Sequence, residues 1–174
     1  MNNEKPNENP QRFSNQTADT IVEDIRSWPI FDGWHISPAT GKHVIIGNNV
    51  QSKKNVRLGD WVKIGKGSTL GWGSEIGDNV TIGEGDNIRP DVMIADKVTI
   101  GAKVYVGMST LLFEGAHIGA NTILGHNVSI GPNVTIGEGV KVGDHSVIYA
   151  SSVIGDGVEL CKGTIILPET ELAK

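Results

Sequence analysis

Cysteine is all but missing from this chain. Cys161 stands alone, which rules out an intramolecular disulfide and fits a reducing compartment. No stretch is long and apolar enough to span a membrane. The opening residues, MNNEKPNENPQRF, lack the apolar segment of a secretory leader. They are polar throughout, so 1–13 is expected to be a disordered tail. An excess of positive charge is also missing. Fifteen Lys and Arg against 20 Asp and Glu give a net charge of −5 and a pI near 5.5. Nucleic acid and anionic membranes are therefore poor partners. Together these absences point to a cytoplasmic protein of one domain with short flanks.

What the chain has is a repeat. Stepping by six from Ile46 meets Ser52, Leu58, Ile64, Leu70 and Ile76, and so on to Ile166; 20 of these 21 positions are Ile, Leu or Val, with no insertion or deletion. The next position is Gly in 14 repeats, and two residues later Asn, Gly or Asp stands in 14. One further on comes Val or a small residue, as in Val80, Val98 and Val134. Side chains alternate along a strand, so the Val and the Ile two residues later point the same way. The Asn/Gly column is where the chain must turn, because these residues tolerate a positive φ at least cost. Each hexapeptide is thus a strand plus a corner, and it must stack on its neighbours to bury its apolar side. The three- and four-residue apolar spacing of an α-helix is not present.

Runs such as IGDNVTIGEG and IGPNVTIGEG resemble the hexapeptide-repeat family, whose members form left-handed parallel β-helices. The resemblance implies an all-β fold of about seven three-sided coils, stacked at roughly 4.8 Å into a prism about 30 Å long. The left hand comes from the resemblance alone, since the general crossover rule gives the opposite one. The β-helix is expected over 46–171, with 172–174 as a tail. Residues 14–45 do not repeat. SNQTADTIVEDIRSW carries a helix start signal and sets Ile21, Ile25 and Trp28 on one face, with Pro29 as the stop. PIFDGWHISPATGKH is expected to carry Phe31, Trp34 and Ile36 into the solenoid and cover its open end.

Uninterrupted register makes residues 18 apart stacked neighbours. One face then carries Met93, Leu111, Phe113, Val147, Tyr149, Ile165 and Leu167 outward, while the other two are mostly polar. A contiguous apolar patch marks an interface. The family's habit makes it that of a homotrimer, with Tyr105 and Ile123 as the complementary patch.

The same resemblance implies an acyltransferase that takes acetyl-CoA or another acyl-CoA as co-substrate and uses a histidine near a subunit boundary as general base on a hydroxyl or amine of a small-molecule or sugar acceptor. Among the five histidines, His126 occupies a corner beside the apolar face, with Asp144 one coil on. A carboxylate that orients an imidazole and stabilises its charged form suits a general base. His126 and Asp144 are the catalytic candidates; Ser109, Asn127 and His145, in the next corner column, are the substrate-binding ones. His117 falls between Thr99 and Thr135 on a polar face. His35 and His43 belong to the end cover, where a site has less support.

A γ-class carbonic anhydrase-like zinc site is tested by its ligands. That pattern needs histidines where this chain has Gly131 and Pro90, so no metal is expected. Arg89 and Asp91 are then read as a surface ion pair. Two inward positions break the pattern: Ser52 replaces an aliphatic, and Asp86 lies between Ser68 and Val104, where an unpaired carboxylate is costly. The acyltransferase pattern usually adds an extruded loop that builds the acceptor pocket, and none interrupts this repeat. A non-catalytic scaffold or binding solenoid is therefore the alternative.

Overall fold

The computed structural model describes residues 21–173. The expected tail at 1–13 and the beginning of the helix lie outside the described residues. The remainder is a left-handed parallel β-helix of about seven coils with three faces. One sheet has ten strands and the other two have seven each.

The described part opens with α1 (Ile21–Ser27), which buries Ile21, Val22 and Ile25 and packs Trp28 against the core. Strands β1 (Ile30–Phe31) and β2 (Trp34–Ile36) follow, and β2 lies antiparallel to β3 (His43–Ile46). The segment after Pro29 therefore caps the solenoid by strand pairing and does not feed its side chains into the core. Ile30 and Phe31 remain 66% and 74% exposed. The hairpin gives the first parallel strand a partner and so removes an open edge.

Parallel pairing begins at Val44, opposite Val62, and continues to Leu172, opposite Ile154. The β-helix thus extends slightly past 46 and 171 at both ends. From there every face steps by 18, as in Thr81 with Thr99 and Tyr105 with Ile123. All 21 residues of the turn column, from Asn49 to Glu169, have a positive φ, between 54° and 72°. That is the requirement the Asn/Gly preference met.

The Gly column has a different cause. A Cβ on Gly83 or Gly107 would collide with the backbone of the coil stacked on it. These glycines let successive corners approach closely. The buried hydroxyls of Ser68, Ser74, Thr110 and Thr122 each donate to a carbonyl 15 residues on, at 2.8 to 3.1 Å. They fill the Val column without leaving an unpaired donor. No helix among the described residues is long and apolar enough to cross a membrane.

Candidate functional site

The structure stacks the corner residues as the register requires, but their hydrogen bonds change the roles of His126 and Asp144. Asp144 Oδ1 accepts from the backbone N–H of His126 at 2.7 Å, and the two side chains form no ion pair. Asp78, Asp96 and Asp156 make the same contact to Asp60, Asp78 and Glu138 at 2.8 Å. Asp144 is one of this series of carboxylates that cap the corner amide of the preceding coil.

His126 performs the same task with a ring nitrogen. Its Nδ1 accepts from the N–H of Met108 at 2.9 Å, and its ring meets the edge of Tyr105 with 6.4 Å between centroids. With Nδ1 accepting, the proton of the neutral imidazole sits on Nε2. That nitrogen then has no lone pair to take a proton from an acceptor. The expected carboxylate–imidazole pairing is absent here, because the corner geometry directs both groups at backbone amides.

Ser109, Asn127 and His145 all occupy the turn column with φ between 54° and 60°. Their backbone amides donate to the preceding coil, and all three are exposed. His117 is exposed between Thr99 and Thr135, as its column requires. Arg89 and Asp91 form no ion pair; Asp91 holds a turn position at φ 57°, with its carboxylate beside Gly73.

The arrangement expected at His126 occurs instead in the N-terminal coils. His43 Nδ1 lies 3.0 Å from Oδ1 of Asp60. The same oxygen accepts the backbone N–H of His43 at 2.7 Å and of Trp61 at 2.9 Å. Partial burial pushes the Asp60 carboxyl up, but the bonds from His43 and Trp61 outweigh this and hold it below its ordinary value. A carboxylate on Nδ1 favours the tautomer with its proton there. Nε2 is then left with its lone pair, on a side chain that is 26% exposed.

Around this pair the rings are ordered. Trp61 lies flat on His43, with centroids 3.9 Å apart and planes 4° off parallel. Trp34 meets Trp61 edge to face at 5.0 Å, and Lys63 Nζ sits 5.3 Å from the Trp34 ring centre. A concavity of about 230 Å3 beside them is lined by Trp34, Trp61, Lys63, Asn79 and Thr81. Sequence reasoning assigns His43 to the end cover and passes over Asp60. The available signal was their spacing of 17, one short of a coil, which sets a corner aspartate beside the first residue of β3.

The apolar face is exposed where its columns placed it: Met93 at 50%, Phe113 at 43%, Tyr149 at 48%, Ile165 at 63% and Leu167 at 65%. Inside the prism, Asp86 is 1% exposed. Its Oδ1 accepts the Val104 N–H at 2.8 Å, and its own N–H donates to Ser68 Oγ at 3.1 Å. Oδ2 has no partner, and neither does Ser52 Oγ. Burial pushes the Asp86 carboxyl up to about 6, against the lowering effect of backbone N–H groups, that of Val104 first. Among the described residues no three His, Cys, Asp or Glu side chains converge as a metal site would require.

Comparison with known proteins agrees on architecture. AntD, an N-acyltransferase from Bacillus cereus, was solved as a point mutant with coenzyme A and dTDP-4-amino-4,6-dideoxyglucose, and that structure has a TM-score of 0.51. It is 19% identical over 74% of this chain and 75% of its own. A second AntD mutant, with dTDP and coenzyme A, has a TM-score of 0.50 and 20% identity over 75% and 74%. PerB from Caulobacter crescentus, with coenzyme A and GDP-perosamine, is 22% identical over 71% of this chain and 51% of its own, at a TM-score of 0.44. Curated protein sequences give no match. The family described as the GMPPB C-terminal domain matches residues 74–174, a segment that starts after His43, Asp60 and Trp61. The chain is a hexapeptide-repeat β-helix and belongs to the GMPPB C-terminal domain family.

Proposed function

We propose that this protein is an acyltransferase that moves an acyl group from an acyl-CoA to a hydroxyl or amine, with His43 as general base and Asp60 as its orienting carboxylate. The observation that carries this reading is the 3.0 Å contact between His43 Nδ1 and Asp60. His43 Nε2 takes the proton of the acceptor as its oxygen or nitrogen attacks the thioester carbonyl. The imidazolium, steadied by Asp60, returns that proton to the departing CoA thiolate. AntD shares the fold and was solved with coenzyme A, which supports this donor class. His126, Asp144, Ser109, Asn127 and His145 become corner residues beside a subunit boundary, with no role assigned in proton transfer.

The apolar face is proposed as the interface of a cytoplasmic homotrimer, with Tyr105 and Ile123 on the complementary surface. Exposed Ile165 and Leu167 support it, since a lone solenoid would leave that surface in water.

The test is release of free thiol from acetyl-CoA across a panel of amino and hydroxy acceptors. His43→Ala abolishes transfer, whereas His126→Ala removes only an amide cap and retains it. Full activity in His43→Ala sinks the assignment. A second reading, a non-catalytic binding solenoid, is favoured by the insertion-free repeat and by membership of a family described as a C-terminal domain. It is supported if no acyl-CoA binds.

A further inference from the structure

Trp61 is an anomaly in its column. Of 21 turn positions it is the one filled by a Trp, Tyr or Phe, at φ 58°, a backbone conformation that costs a bulky residue most. Asn fills six of these positions and Gly seven, so a turn alone does not call for an indole. The strain is held by Asp60, which accepts the N–H of Trp61 and both the backbone and ring N–H groups of His43. The result is a fixed two-ring stack.

The open side of that stack follows from three separations. His43 lies 3.9 Å from Trp61, Trp34 lies 5.0 Å from Trp61, and Trp34 is only 6.5 Å from His43. A ring on the far face of Trp61 would stand much farther from His43. Trp34 is therefore beside Trp61, at its edge, and among the described residues no ring covers the far indole face. Asn79 follows Trp61 in the same column as His43 precedes it, and Thr81 neighbours Lys63 on the adjoining strand. The concavity of about 230 Å3 lined by Trp34, Trp61, Lys63, Asn79 and Thr81, and not by His43, lies on this far side.

We propose that this concavity binds one saccharide ring bearing an anionic substituent. An exposed indole face accepts the C–H face of a pyranose, while the Asn79 amide and Thr81 hydroxyl offer donors and acceptors to its ring hydroxyls. Lys63 makes no ion pair among the described residues; its ammonium lies by the Trp34 ring. On a chain of net charge −5, a lysine set among tryptophans favours a carboxylate or phosphate. The volume falls below the roughly 300–1,000 Å3 of a larger ligand site and suits a single ring. A purine would use the indole but leave the polar rim largely unmatched. This site is separate from the lone pair of His43 and does not depend on acyl transfer.

The probes are methyl glucuronide and glucose 1-phosphate, which separate the carboxylate from the phosphate, with methyl glucoside as the neutral control. Tryptophan fluorescence and saturation-transfer NMR read binding to the full chain. Either or both anionic sugars should bind saturably, and the neutral glycoside about fivefold more weakly, as one exposed charge contact allows. Trp61→Asn, which places a common turn residue there, should fold and lose binding. Lys63→Gln should erase the preference for charge. Binding of none of the three sugars, or binding that survives Trp61→Asn, overturns the proposal. Tighter binding of adenosine 3′,5′-bisphosphate than of either anionic sugar, on the same residues, also overturns it.

Discussion

The carboxylate of Asp60 accepts both the ring Nδ1–H and the backbone N–H of His43, at 3.0 and 2.7 Å. One oxygen thereby fixes the imidazole and joins the first coil of the solenoid to the second, and a third bond, from the N–H of the adjacent Trp61, holds the carboxylate within its own corner.

Asp60→Ala leaves these N–H groups without their acceptor and should cost on the order of 2 kcal/mol, read as a lower Tm. The pH dependence follows from the lowered carboxyl. The stabilisation is present above the ordinary value of 3.8 and is lost as pH falls through the lower folded value. Melts of wild type and variant should therefore converge at the acid end. A variant as stable as wild type at neutral pH contradicts the role given to Asp60.

Asp86 has the opposite sign. Its folded value, about 6, lies above the unfolded 3.8, so the native state binds the proton more tightly. Stability is greatest below 3.8, declines as pH rises toward 6, and stays reduced above it. The full difference is about 3 kcal/mol. Asp86→Asn keeps an acceptor for the Val104 N–H and removes the charge. It should melt higher than wild type at pH 8 and lose most of the slope between pH 4 and 6. An unchanged slope would show that this carboxyl is not what titrates.

Gly107 lies outside the left-handed region of φ, so Gly107→Ala carries no φ penalty. Its Cβ would nevertheless strike the Gly125 carbonyl in the next coil. Forcing that corner apart should cost about 2–3 kcal/mol, the upper part of what overpacking costs, since the atom struck is backbone. The control is Gly139→Ala, whose Cβ meets nothing but whose φ is 65°; it should cost about 1 kcal/mol. Equal losses in chemical denaturation would refute the close-approach account.

If the apolar face is the subunit interface, a charge at its centre disperses the assembly. Phe113→Glu should take light scattering from trimer to monomer mass, while His117→Glu on the exposed polar face changes nothing. A monomeric wild type removes the proposal.

The fold was legible because the repeat is unbroken. With no insertion, Thr81 had to pair with Thr99 and Leu111 with Ser129, and both do. The site was legible only as far as stacking goes. Sequence spacing put Asp144 beside His126 but carried no information on whether its oxygen would turn to the ring or to the backbone. At that corner the carboxylate accepts the backbone N–H of His126, as Asp78, Asp96 and Asp156 accept theirs. His43 and Asp60 escaped notice because they straddle the junction between the antiparallel cap and the first parallel strand, where the column rule has just begun.

The central proposal is acyl transfer from an acyl-CoA, and calorimetric titration of the wild-type chain with acetyl-CoA tests it most directly. An acyltransferase gives saturable binding with one acetyl-CoA per chain, retained in His43→Ala because that change removes the base and not the donor site. No measurable binding at millimolar acetyl-CoA would contradict acyl transfer and leave a binding solenoid.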